Sequence, residues 1–184
     1  IFFFVGYGAQ FFFMKMRPKM GMRKLILRFG LAKVILTLLL FIFIVFIDNS
    51  LIVVITLAIL TFLGGYTIFN TPILYLSIDE DELKTGSRRE GMFFGIDALI
   101  HKPSQSIGPI VATFILGIFG YVQNSTVQTD SAIIGIKILM FLIPTIVSAI
   151  GLLFMYFHPL HGEKLDKLKE NLELLHQTKR ERLA

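Results

Sequence analysis

The chain has 184 residues, of which 54% are hydrophobic and only 17% charged, with a net charge of +5 and a mean hydropathy of +0.72. A soluble domain carries about a quarter charged residues, and here the apolar residues are gathered into runs; residues 52–78 contain no charged side chain. A soluble α/β core, a disordered tail and a nucleic-acid module are excluded, because most Lys and Arg lie in short segments between apolar runs, where they orient a chain in a membrane.

Residues 1–14 are apolar, begin without Met or a basic leader, and are too short to cross a bilayer that needs about 20 residues. The expectation is a truncated helix of a longer protein. Residues 15–28 follow with six basic and no acidic side chains, plus Pro18 and Gly21, and are expected to form a cytoplasmic loop. The next span is 29–47, with Lys33 near its cytoplasmic end, where an ammonium can snorkel to the interface. Asp48-Asn49-Ser50 is an external turn.

A span over 51–78 is interrupted by Gly64-Gly65 and Thr71-Pro72. Residues 79–90 form a second cytoplasmic loop, with Thr85 or Ser87 capping the following helix and Glu90 suiting its dipole. Residues 91–121 form the third complete span, residues 122–131 an external loop with no Lys or Arg, and 132–157 the last span, with Lys137 near its outer end and Pro144 inside. Residues 159–184 are a polar tail with Leu165, Leu168, Leu172 and Leu175 at heptad-like spacing, expected to rest as a surface helix on the bundle, its basic end Lys179, Arg180 and Arg182 meeting anionic lipid. The three proposed cytoplasmic stretches hold six, three and six Lys plus Arg and the two external turns none. That alternation predicts an all-α membrane protein with one partial and four complete spans in a bundle over 1–158, its C-terminus cytoplasmic.

Cysteine is absent, and the four His show no metal-ligand spacing, so no disulfide, metal or cofactor is expected. No nucleophile with a base and no phosphate loop marks an enzyme. The chemistry-bearing residues are instead Asp97, His101, Lys102 and Gln105, ionisable or polar groups inside the third complete span, where they are costly and face a cavity or a partner. Asp97 and His101 share a helix face at i, i+4, and Gln105 continues it. Two readings stand: a polar surface that binds a sugar or exchanges a cation, or interfacial groups paired with one another. Pro103 and Pro109, like Pro72, are candidate helix breaks of the sort that line transporter cavities. Arg88 and Arg89, with Glu90, are placed to clamp acidic groups of neighbouring helix ends in one conformational state and release them in another.

The stretch Ile78-Asp79-Glu80-Asp81-Glu82-Leu83-Lys84-Thr85-Gly86-Ser87-Arg88-Arg89-Glu90-Gly91, with Gly120-Tyr121 closing the next helix, resembles the signature of the glycoside-pentoside-hexuronide:cation symporters, the melibiose-permease branch of the major facilitator superfamily. The resemblance implies the C-terminal part of a twelve-helix transporter, from the end of its eighth helix onward. Lys102 matches the eleventh-helix lysine that the family implicates in coupling cation to sugar, whereas Asp97 and His101 match no family motif.

The function so implied is secondary active symport of a sugar or glycoside with Na⁺ or H⁺ by alternating access, in the cell membrane. Its partners are membrane lipid, a small-molecule substrate and a missing N-terminal six-helix half, with no nucleic acid. The alternatives are a transporter of a lipid-like amphiphile on the same fold, and a small stand-alone membrane scaffold subunit.

Overall fold

The computed structural model describes residues 2–46, 49–159 and 161–183, and the described residues contain helices and turns but no strand. Eight α-helices follow in order: α1 (Phe2–Met20), α2 (Met22–Phe46), α3 (Ser50–Leu63), α4 (Asn70–Thr85), α5 (Glu90–Ile118), α6 (Asp130–Lys137), α7 (Ile143–Phe157) and α8 (Glu163–Leu183). Six residues of 3₁₀-helix, Gly64–Phe69, separate α3 from α4, and a π-helical turn, Ile138–Leu142, joins α6 to α7.

Among the described residues, three helical stretches are long and apolar enough to cross a membrane: Met22–Ile44, Leu51–Thr85 and Asp130–Phe157. The helix over α5, expected as a further complete span, is 29 residues long but carries Asp97, His101, Lys102 and Gln105, and that polarity sets it apart from the other three.

The expected basic loop over 15–28 is not a loop. α1 continues through Pro18, and the only residue outside helix is Gly21, in the left-handed conformation at φ 75°. Its N–H donates to Arg17 O at 2.9 Å, and its carbonyl accepts from Leu25 N at 3.2 Å. Glycine reaches that conformation without steric cost, so the corner is one residue long. Of the expected external turn, Asp48 lies outside the described residues, and Asn49 caps α3 by accepting from Leu51 N at 2.9 Å and Ile52 N at 3.4 Å.

The proline expectations are corrected in part. The interruption of the long span lies at Gly64–Phe69, upstream of Pro72, which occupies the first turn of α4 where a helix N–H has no partner in any case. α5 runs through Pro103 and Pro109 without a break. The proline that does disturb its helix is Pro144: it has no N–H to give Met140, and the bonding pattern just before it widens, with Ile143 N–H reaching Ile138 O.

Contacts divide the chain into two compact units, Ile1–Thr67 with Ser104–Tyr156, and Ile68–Pro103 with Phe157–Ala184. The second unit takes in the expected tail over 159–184, whose helix α8 packs on α4. In the first unit, Ile44, Leu60 and Phe141 are buried together from α2, α3 and the π-turn. Phe13, fully buried, packs edge-on to Phe29 at 4.8 Å and to Tyr66 at 6.5 Å, the preferred geometry for ring quadrupoles. Arg23 Nη2 donates to Tyr156 O at 2.6 Å, and Arg23 Cζ lies 5.9 Å from the Tyr156 ring centroid, tying α2 to α7. Gly120, at φ 72°, ends the helical run after α5, with Tyr121 N–H returning to Leu116 O at 2.9 Å. That is the physical reason for Gly-Tyr at this point in the chain.

Gly65 lies where α1 meets the 3₁₀ segment: a Cβ there would stand 2.7 Å from Ala9 Cβ and 2.9 Å from the Ala9 backbone. Gly65→Ala is expected to cost about 1–3 kcal/mol through overpacking, read as a lower thermal midpoint of the full-length protein in detergent by circular dichroism. Gly8→Ala, whose Cβ would meet nothing within 4 Å, is expected to leave the midpoint unchanged or slightly raised.

Candidate functional site

The charged stretch after the long apolar span folds onto itself around one carboxylate. α4 carries Asp79, Glu80, Asp81 and Glu82 in its last two turns, and Gly86, left-handed at φ 72°, stops it by donating to Glu82 O at 2.8 Å. Thr85, expected to cap the following helix, instead closes the preceding one, donating to Asp81 O at 2.9 Å and accepting from Ser87 N at 3.4 Å. The hydroxyl satisfies groups at the end of α4, so the chain turns within four residues and α5 starts at Glu90.

That short turn returns Arg88 and Arg89 over the acidic end of α4. Arg88 Nη1 meets Asp79 Oδ1 and Glu82 Oε2, each at 2.9 Å, while its Nε meets Glu90 Oε1 at 2.6 Å. Arg89 Nε donates to Asp81 Oδ2 at 2.9 Å, and its Nη2 contacts the second oxygen of the same carboxylate, a two-point geometry suited to a planar guanidinium. The carboxylates of Glu90 and Glu82, with Asp79 beside them, raise the pKa of the Arg88 guanidinium, and Asp81 does the same for Arg89. Both arginines are therefore permanent cations, and together they pair with carboxylates at the end of α4 and, through Arg88, at the start of α5.

Sequence reasoning missed the third side of this cluster. Glu82 is 2% exposed, and its Oε1 accepts from Lys179 Nζ at 2.7 Å and faces His176 Nε2 at 3.3 Å, both on α8. Lys164 adds a looser contact to Glu80 at 3.8 Å. Lys179, expected to meet lipid, thus has a carboxylate partner within the protein. The leucines of the tail behave as their spacing suggests: Leu168 is buried and Leu165, Leu172 and Leu175 are partly covered, so the apolar stripe of α8 continues into His176 and Lys179 on one face. A buried carboxylate with three cationic or donor partners is compensated, whereas removal of those partners leaves a costly charge.

The remaining expected site residues lie along α5. Asp97 and His101 approach each other at 3.4 Å, with side chains 43% and 71% exposed. Lys102 and Gln105 are exposed, and no residue of α5 is buried. The structure therefore brings together Arg88, Arg89 and Glu90 with the α4 carboxylates, and separately Asp97 with His101. It leaves Lys102 and Gln105 outside both groups.

Glu82→Ala is expected to loosen α8, so that trypsin cuts the full-length protein at Lys164 and Lys167 several-fold faster than in the wild type. Asp79→Ala removes only one of three acceptors from the half-exposed Arg88 and is expected to change that rate little. Equal tail cleavage in wild type and Glu82→Ala would show that the carboxylate does not hold the tail.

Residues 1–162 match the family described as MFS/sugar transport protein. A glucuronide carrier protein homolog of Escherichia coli (strain K12) is 32% identical over 92 residues, which is 50% of this chain and 20% of that protein. A symporter of Bacillus subtilis (strain 168), named as uncharacterized, is 39% identical over 80 residues, 44% of this chain and 17% of its own length. A second such symporter of the same organism is 30% identical over 110 residues, 60% and 23% of the two chains. The chain thus spans about a fifth of the length of the curated relatives it matches, and no solved structure matches it. With its apolar membrane-length helices and the Lys-Thr-Gly-Ser-Arg-Arg-Glu-Gly turn, the chain belongs to the MFS/sugar transport protein family, in its glycoside-pentoside-hexuronide:cation symporter branch.

Proposed function

We propose that the full protein carries out cation-coupled symport of a sugar or glycoside by alternating access, with this chain supplying C-terminal helices and an N-terminal six-helix half supplying the opposing wall. The observation that carries this reading is α5. Unlike the three apolar membrane-length stretches, it places a carboxylate, an imidazole, an ammonium and an amide in its middle turns, and no residue on it is buried. Ionisable groups in a membrane helix face a cavity or a partner, so the polar face of α5 is the substrate and cation path, with Lys102 at its centre and Asp97, His101 and Gln105 along it. Na⁺ or H⁺ is the coupling ion.

The cluster around Glu82 then acts as the cytoplasmic gate. Arg88 and Arg89 hold the ends of α4 and α5 in one state and exchange partners in the other, as paired charges between helix ends do when a bundle rocks. The alternation of basic segments favours a C-terminus in the cytoplasm, and the plasma membrane is the location proposed with it. The printed name of the Escherichia coli relative makes a glucuronide the first substrate to try.

In vesicles or cells expressing the full-length protein, Lys102→Ala is expected to abolish sugar accumulation driven by an imposed Na⁺ or H⁺ gradient, with membrane insertion unchanged by surface labelling. The loss should exceed tenfold if the ammonium is required for coupling. Undiminished gradient-driven uptake by Lys102→Ala would remove the assignment. Uptake of a lipid-like amphiphile instead of any sugar would favour a different cargo on the same fold.

A further inference from the structure

A second polar feature shares no residue with the α5 face or the Glu82 cluster. Lys33, expected near the cytoplasmic end of its span, stands about 8 Å along α2 from Arg28, the last residue of the basic segment, at 1.5 Å per residue. It lines a cavity of about 180 Å³ between α2, α3 and the π-turn with α7, together with Thr37, Thr61, Thr145, Ser148 and Pro144. Its ammonium reaches the end of α3, where a Cβ on Gly64 would stand 3.2 Å from Nζ. Among the described residues no carboxylate pairs with it. An ammonium lining a cavity in an apolar membrane-length helix without a counter-charge is an expensive feature to keep.

The hydroxyls around it are sorted by what they have left to offer. Thr37 donates to Lys33 O at 2.6 Å, Thr61 to Leu57 O at 2.7 Å and Thr145 to Phe141 O at 2.6 Å. Each has used its hydrogen on its own helix and presents lone pairs to the cavity. Lys33 and Ser148 remain as donors. The cavity therefore offers a cation and a hydroxyl hydrogen for an anionic oxygen, and a ring of acceptors for hydroxyl groups on the same ligand. Both helix irregularities of this unit flank it: the α3 helix gives way to 3₁₀ at Gly64, and the π-turn precedes Pro144. Such irregularities are frequent at sites where helices are shaped for a ligand.

We propose that this cavity is a binding site for a hydroxylated anion, with Lys33 as its counter-charge. The chemistry is that of a glycerol phosphate group, which reaches the site either as the headgroup of phosphatidylglycerol in the bilayer or as a soluble compound. The exposed Leu31, Ile35, Leu38 and Leu39 on the same helix give acyl chains a surface to lie against.

The test uses the full-length transporter in nanodiscs of phosphatidylcholine with and without phosphatidylglycerol, and a separate titration with soluble glycerol phosphate. Native mass spectrometry is expected to find phosphatidylglycerol retained on the wild type, with Lys33→Gln weakening retention roughly tenfold and Lys33→Arg restoring most of it. A Lys33-dependent thermal shift with soluble glycerol phosphate, in place of lipid retention, supports the site and assigns the soluble source. Wild-type protein that binds neither probe overturns the proposal, and so does Lys33→Gln that binds as the wild type does. Should Lys33→Gln fail to fold, Ser148→Ala and Thr61→Val are read in its place, and undiminished binding by both overturns the proposal.

Discussion

The buried Glu82 carboxylate is the constraint on which the charged end of this chain depends. A carboxylate at 2% exposure must be compensated or it unfolds its surroundings. The compensation comes from three side chains on two segments: Arg88 from the turn that follows, Lys179 and His176 from a helix nearly a hundred residues on. The same residue's backbone carbonyl accepts the Gly86 N–H that ends α4. One glutamate thus terminates its own helix through the main chain and recruits two other segments through the side chain. The signature turn is short because it must bring Arg88 back over that carboxylate.

In the other unit the organising feature is interruption. α3 gives way to six residues of 3₁₀-helix at Gly64, and α6 passes through a π-turn before Pro144. Each has a chemical origin. Gly65 has no Cβ and lets the chain pass against Ala9, and Pro144 cannot supply the N–H that a regular helix needs. Between them lies a pocket whose walls alternate aliphatic side chains with hydroxyls, while Ile44, Leu60 and Phe141 are buried beneath. The aromatic packing of Phe13 against Phe29 and Tyr66 holds α1 to its neighbours by shape.

Much of this was legible in the sequence. Apolar runs gave the helices, and the Lys-Thr-Gly-Ser-Arg-Arg-Glu-Gly order gave both the family and the arginine clamp, because the partners of Arg88 and Arg89 lie within nine residues of them. The i, i+4 pair of Glu163 and Lys167 forms at 2.7 Å for the same local reason. What escaped was non-local or stereochemical. Lys179 pairs with a residue 97 positions away, and nothing in a basic tail distinguishes a lysine aimed at lipid from one aimed at a buried glutamate. Pro103 and Pro109 read as breaks, yet α5 runs through both. Lys33 read as a residue near the end of its span, and nothing in the sequence showed that Thr37, Thr61, Thr145 and Ser148 of three helices line one cavity with it.

The single-residue corner at Gly21 has a mechanical meaning. Where two helices are joined by a long loop, the loop absorbs relative motion and each helix moves on its own. Here the backbone leaves α1 and enters α2 through one pair of dihedrals, with hydrogen bonds to Arg17 on one side and Leu25 on the other. Such a joint has no slack: a tilt of α1 is delivered to α2 as torque rather than being dissipated, and the pair behaves as a bent lever pivoting at a glycine.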